Sequence, residues 1–246
     1  MRLSALCLGL FPGLYLFHLP SSVKLMVTSE KFLKERVDDV LGTSFNERDG
    51  RVVPSTDDVV LKNGAVKISA TFLYADLAGS AKLSDVCPWH TTAKIIRAFL
   101  DISTRLIRDY GGAVRSFDGD RVMGVFIGDK KNTYACRCAR EIHWTVRKIL
   151  HEKAKAKFNS IKNNNIEIRH GVGIDTGEVR AVRSGIRDNN DLIWVGKSAS
   201  FSAKLSDVRD APYHTYISKR VYNMLPQSER KEEEGNMWKQ NNFKFA

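Results

Sequence analysis

The stretch from Ile68 to Asp76, Ile-Ser-Ala-Thr-Phe-Leu-Tyr-Ala-Asp, constrains this chain more than any other. It alternates at first and then turns almost wholly apolar, the pattern of a central strand covered on at least one face. It ends in an aspartate followed by Leu77-Ala78-Gly79-Ser80, a turn of small residues. Such a strand needs elements to cover it, and two apolar stripes supply them. Ile95, Phe99, Ile102, Leu106 and Tyr110 recur at three- and four-residue steps up to Gly111-Gly112, and Ala135, Cys138, Ile142, Val146 and Ile149 repeat the pattern. Between these helices, Asp118-Gly119-Asp120 separates β segments at Ala113–Phe117 and Arg121–Ile127 as a hairpin turn.

Beyond the second helix the sequence fades into a Lys- and Asn-rich loop, 152–165. Ile166–Ile174 and Glu178–Val182 then read as strands around Asp175-Thr176-Gly177. Leu192–Val195 is another, before Gly196 and a short helix through Leu205, and a strand at Thr215–Ile217 with a helix at Lys219–Leu225 closes the pattern. The order β-α-β-β-α-β predicts an α+β fold of ferredoxin-like order, a mostly antiparallel sheet with helices on one face. Upstream, Phe32, Leu33, Val37, Val40 and Leu41 predict a lead-in helix from Ser29 to Gly42, followed by a linker to residue 66 with a short strand near Val59–Leu61.

Composition narrows the class. A 246-residue chain with 43% hydrophobic residues buries one good core. Its net charge of +11 suits polyanions, nucleoside triphosphates among them. The basic residues are scattered and lack aromatic interleaving, so they read as a solvated face and no nucleic-acid partner is expected. Cys7, Cys87, Cys136 and Cys138 give neither a zinc spacing nor a disulfide framework, which fits a reducing compartment. Residues 3–19 follow Arg2 and look like the apolar core of a signal peptide or short anchor, but Pro12 and Gly13 break the run. Because Met26 opens the patterned segment, the favoured reading is a start assigned too far upstream and a cytoplasmic protein. A membrane-anchored sensor is the alternative.

Asp76 at a strand end and Asp120 in a hairpin turn are each ordinary alone. At neighbouring strand ends the two form an oxygen-ligand site for Mg2+ or Mn2+. The turn through Ala78, Gly79 and Ser80 beside them suits phosphate, since backbone N–H groups can point at its oxygens. His90, His143, His170 and His214 show no partner spacing and are assigned to surface or packing roles.

Residues 72–80 (Phe-Leu-Tyr-Ala-Asp-Leu-Ala-Gly-Ser), 117–126 (Phe-Asp-Gly-Asp-Arg-Val-Met-Gly-Val-Phe), 173–179 (Gly-Ile-Asp-Thr-Gly-Glu-Val) and 194–196 (Trp-Val-Gly) together resemble the ordered motifs of class III nucleotidyl cyclases. The resemblance covers about residues 68–217. It implies a catalytic domain at 67–226, between an N-terminal extension (1–25), the lead-in helix and linker (26–66) and a polar tail (227–246). It implies that Asp76, Asp120 and the backbone carbonyl of Leu77 hold two Mn2+ or Mg2+ ions. It also implies a head-to-tail homodimer with composite active sites. The two positions that read adenine in purine cyclases are Ser116 and Ile193 here, so that pair is absent. The family's transition-state Asn and Arg align with Ser200 and Lys204; Lys204 is a point charge rather than a bidentate fork.

A small cyclase domain lacking the purine readers resembles the pyrimidine cyclases of the Pycsar anti-phage type. That implies UTP as the favoured substrate, cyclic UMP as product, and a separate effector protein activated by it. Tyr74 and Phe72 share the face of Asp76 by strand alternation, so either is a candidate contact for the base. The alternatives are a cytidylate cyclase, an adenylate cyclase with unorthodox base recognition, and a cyclase-like domain that only binds nucleotide.

Overall fold

The computed structural model describes residues 28–232, 235–236 and 238–240; the apolar stretch 3–19, Met26 and the end of the tail lie outside them. Among the described residues no helix is long and apolar enough to cross a membrane. They fall into two units, one ending at Thr43 and one beginning at Ser44. The first holds α1 (Glu30–Leu41), where the Ser29 hydroxyl accepts the Phe32 amide at 3.3 Å and Gly42 ends the helix, as the sequence predicts.

The second unit is built on β2 (Gly64–Ala78), which pairs antiparallel with β4 (Arg121–Phe126) on one side and β5 (Arg169–Ile186) on the other. The hairpin partner β3 (Ala113–Asp118) and β6 (Asn189–Val195) extend the sheet to the order β3-β4-β2-β5-β6. Two short strands add in parallel: β1 (Asn46–Asp49) beside β2, and β7 (Thr215–Ile217) beside β5. Strand alternation sorts β2. Leu73, Ala75 and Leu77 enter a core with Ile95, Phe99 and Ile107 of α3 (Trp89–Asp109) and Ala135, Cys138 and Ile142 of α4 (Lys131–Thr145). Phe72 enters a second core on the opposite face with Met123, Val125, Val179, Ala181 and Ala199. Helices α3 and α4 therefore cover one face, as expected. The short α7 (Lys197–Ser206) is an addition on the other, seated where Gly171 and Gly173 leave β5 without side chains.

Four local readings need correction. The linker strand is Asn46–Asp49, not Val59–Leu61; Val59 is a buried core residue. This edge strand is all polar and is tied by Lys67–Asp49 (3.0 Å) and Arg180–Glu47 (2.8 Å), so it carries no apolar pattern to find. The turn after Asp76 begins later than expected, because Leu77 and Ala78 are still paired in β2. The loop 152–165 is largely helical: α4 runs through a π-helical turn (Val146–Leu150) into α5 (His151–Lys157), then α6 (Asn159–Asn163), pinned by buried Ala154 and Ile161. Finally, β5 runs unbroken through Asp175-Thr176-Gly177. Asp175 is accommodated because its carboxylate accepts from the Ser218 hydroxyl and pairs with Arg220 at the start of α8 (Lys219–Met224).

A Cβ at Gly173 would overlap the Ser202 carbonyl and the Ser206 amide, both backbone groups of α7 that cannot swing away. Gly173→Ala is therefore expected to lower stability by about 1–3 kcal/mol in urea unfolding, the usual range for overpacking a tight contact.

Candidate functional site

Register places the site. Asp76 on β2 lies directly across from Arg121 on β4 and Gly171 on β5, and Asp118 of β3 completes the same row. Two residues along, the next row on the same face is Ser116, Met123, Tyr74 and Gly173. Because directly opposed residues share a face, Asp76, Tyr74 and Ser116 stand on the α7 side of the sheet. The Leu77 amide donates to the Asp120 carbonyl at 3.4 Å, which holds the hairpin turn against the end of β2. Gly79 follows with φ of 75°, a left-handed turn that leads into α2 (Ser80–Val86). The structure thus brings Asp76, Leu77, Ala78, Asp120 and the turn at Gly79-Ser80 to one sheet end.

Asp76 is only 8% exposed and holds two arginines. Arg121 donates from Nε at 3.3 Å, and Arg209 reaches the other carboxylate oxygen. Sequence reading gave neither arginine a role. Arg121 was accessible from the hairpin register; Arg209 reaches Asp76 across Gly171, where a Cβ would collide with its guanidinium. Arg121 is itself shared with Asp207 at the end of α7. Burial pushes the Asp76 pKa up, Arg121 and Arg209 oppose this, and the Asp120 charge adds to the rise; the net direction is upward. Burial likewise raises Tyr74. The two guanidinium groups therefore leave the Asp76 charge incompletely compensated. The donors at this end are carboxylate and carbonyl oxygens, so the set fits a hard divalent cation.

Other candidates lie elsewhere. Phe72 is 0% exposed and meets Trp194 edge-on at a centroid distance of 5.5 Å, so it is a core residue and not a nucleotide contact. Ile193 projects from β6 on the side opposite its neighbours Leu192 and Trp194, which pack with Phe72, and it is 48% exposed. It does not join Ser116 in one base-reading pair within the chain. Ser200 and Lys204 sit four apart on the exposed side of α7, while Ser198, Ser202 and Ser206 are buried. The Ser202 hydroxyl bonds the Phe72 carbonyl at 3.1 Å, which fixes the helix on the sheet. Three of the four histidines assigned to surface or packing, His143, His170 and His214, meet one another across the other side of the sheet.

No protein-family model matches the chain. Among curated relatives, the uridylate cyclase of Rhodovulum sp. (strain MB263) is 43% identical over 204 residues, covering 82% of this chain and 85% of that protein. The uridylate cyclase of Xanthomonas perforans is 38% identical, covering 81% and 85%. Among solved structures, a class III adenylyl cyclase-like ATP-binding protein from Pseudomonas aeruginosa aligns with a TM-score of 0.61 at 19% identity, covering 82% of this chain and 45% of that one. The adenylyl cyclase CyaB from P. aeruginosa aligns with a TM-score of 0.57 at 20% identity, covering 65% and 81%. At these identities the structural likeness shows the fold.

Removing the buried Asp76 carboxylate takes one of two ion pairs from Arg121, which keeps Asp207, and the ion pair from the exposed Arg209. Asp76→Ala is expected to cost about 1–3 kcal/mol, whereas Asp120→Ala, in a partly exposed turn, stays within about 0.5 kcal/mol. Urea midpoints of the two variants measured side by side check the asymmetry.

Proposed function

The chain belongs to the uridylate cyclase family and is a nucleotidyl cyclase, and we propose that it converts UTP to 3′,5′-cyclic UMP and pyrophosphate. The observation that carries the reading is the paired carboxylates, Asp76 and Asp120, at one sheet end of a chain 43% identical to a uridylate cyclase. Asp76, Asp120 and the Leu77 carbonyl are the groups that would hold two Mn2+ or Mg2+ ions. Such ions, when bound, supply Lewis acidity toward the ribose 3′-hydroxyl and neutralise charge on the triphosphate.

The reaction is attack of the 3′-oxygen on the α-phosphorus with pyrophosphate leaving in line, so the protein contributes position and charge rather than a nucleophile. The turn at Gly79 and Ser80, just past the last paired residue Ala78, would offer backbone N–H groups to phosphate oxygens. Arg121 and Arg209, which flank Asp76, would add positive charge beside the triphosphate. Ser116 and Tyr74 lie in the row next to Asp76, and a half-buried tyrosine beside a serine narrows the space for a two-ring base. Neither is a pair of fixed hydrogen-bonding groups of the kind that selects adenine.

The active unit in this reading is a homodimer. What supports it is the outward stripe of Ser200 and Lys204 on α7 together with exposed Ile193 and Val195 on one side of β6, apolar side chains that a second copy would cover. Working on cytoplasmic nucleotide, the enzyme would supply a diffusible signal in anti-phage defence to a separate cyclic-nucleotide-activated effector; kinship with uridylate cyclases and the motif set support this role.

Equal ATP, GTP, CTP and UTP incubated with the enzyme and Mn2+, followed by mass analysis, should yield mainly cyclic UMP. Cyclic AMP as the main product would overturn the pyrimidine reading, and cyclic CMP would overturn the choice of uracil. Asp76→Asn and Asp120→Asn should each lose at least about 100-fold in turnover at saturating Mn2+. Mixing Asp76→Asn chains with Lys204→Ala chains should restore part of the activity, since one composite site per heterodimer stays intact; verified heterodimers without activity would exclude a shared site.

A further inference from the structure

On the helix-covered side of the sheet, His143 of α4, His170 of β5 and His214, just before β7, form a closed triangle. Their ring centroids are 4.7 Å apart for His143 and His214, 5.3 Å for His170 and His214, and 5.4 Å for His143 and His170. One ring nitrogen from each lies within 4.8 Å of the other two. His170 is 3% exposed, and neither of its ring nitrogens has a hydrogen-bond partner; Nδ1 of His143 is likewise buried and unpaired. Buried polar atoms left unsatisfied in this number are rare in a packed core and call for a ligand. A cavity of about 930 Å³ between α4, β7 and α8 reaches His143 and His214 and is walled by Trp144, Tyr213, Tyr222 and Trp238.

We infer that His143, His170 and His214 form a binding site for a borderline divalent transition-metal ion of the zinc class, separate from the carboxylate pair. Zinc–imidazole bonds of about 2.0–2.1 Å ask the three nitrogens to close by roughly an ångström, and the two rings that line the cavity have space to turn while His170 stays fixed. Burial and the neighbouring rings hold His170 down to about 3 and lower His143, so protons do not compete for these nitrogens near neutrality.

The chemistry of the set excludes the ions expected at the other site. Mg2+ and Mn2+ prefer oxygen donors, and the triangle offers only imidazole nitrogen. Arg147 and Arg209 add positive charge nearby, which disfavours a cation held by charge alone and leaves coordinate bonding as the binding force. With three protein ligands the fourth position remains open on the cavity side. The ion would tie α4, β5 and the segment before β7 into one unit.

The test uses the full chain, stripped with chelator and returned to excess Mg2+ so that oxygen sites are filled. Co2+ titration should then give the visible d–d absorption of a nitrogen-ligated four-coordinate ion at one equivalent per chain, bleached by one equivalent of Zn2+. His170→Asn and the partly exposed His214→Ala should each weaken Co2+ binding by about 100-fold or more, while Asp76→Asn leaves it unchanged. Since His170→Asn sits in the core and can fail to fold, His214→Ala carries the comparison, with circular dichroism confirming its fold. Equal Co2+ binding by the parent chain and His214→Ala, no d–d band at all, or loss of the band in Asp76→Asn would each overturn the inference. Cyclase activity is not a readout, so the outcome is independent of the reading of the carboxylate site.

Discussion

The antiparallel pairing of β2 with β5, from Ala65 opposite Val182 to Ala78 opposite Arg169, is the constraint on which the rest of this molecule depends. It fixes which residues of β2 face α3 and α4 and which face α7. A slip of one residue would drive the Asp76 carboxylate into the helix-covered core and turn Leu73, Ala75 and Leu77 out of it. The cost would run to several kcal/mol, because a charged carboxylate taken from water without its cations is among the most expensive groups to bury. Pairing on both sides of β2 therefore specifies the site as firmly as it specifies the fold.

Glycine spacing on β5 carries that specification to the second layer. Gly171 and Gly173 alternate with Val172 and Ile174, so the strand presents bare backbone to α7 and apolar side chains to α4. The bare backbone lets the Ser202 and Ser206 peptide groups approach and lets Arg209 reach Asp76. Packing and electrostatics are thus set by the same two residues. Arg121 meets Asp76 through the β2–β4 register, whereas Arg209 arrives only if α7 is fully seated.

What could be read from the sequence follows from what apolar periodicity reports, which is burial. The central strand, the α3 and α4 stripes, the Asp118-Gly119-Asp120 hairpin and the meeting of Asp76 with Asp120 were all legible, because each depends on a buried face or on turn chemistry. The polar edge strand at Asn46–Asp49 was not, since it is held by backbone pairing and ion pairs. β5 was split in two because Asp175-Thr176-Gly177 resembles a turn; Ser218 and Arg220, more than forty residues later, make it a strand. Phe72 was misread as a possible base contact because alternation gives the face but not the depth of cover. Arg209 and the histidine triangle are juxtapositions of distant segments, for which one sequence carries no local signal.

Alternation also accounts for how the two proposed cation sites can share one sheet end without interfering. Asp76 and Leu77 are neighbours on β2, and they lie opposite Gly171 and His170 on β5. Successive side chains leave a strand on opposite faces, so the carboxylate row opens toward α7 while the Leu77 and His170 row opens toward the helices. The first face is bordered by arginines and backbone carbonyls, the second by apolar side chains and imidazole rings. Oxygen donors beside guanidinium groups suit a hard ion and a triphosphate; imidazole nitrogens in an apolar surround suit a borderline ion. One residue of displacement along the strand is enough to separate the two, because the paired backbone between them admits neither donor set to the other face.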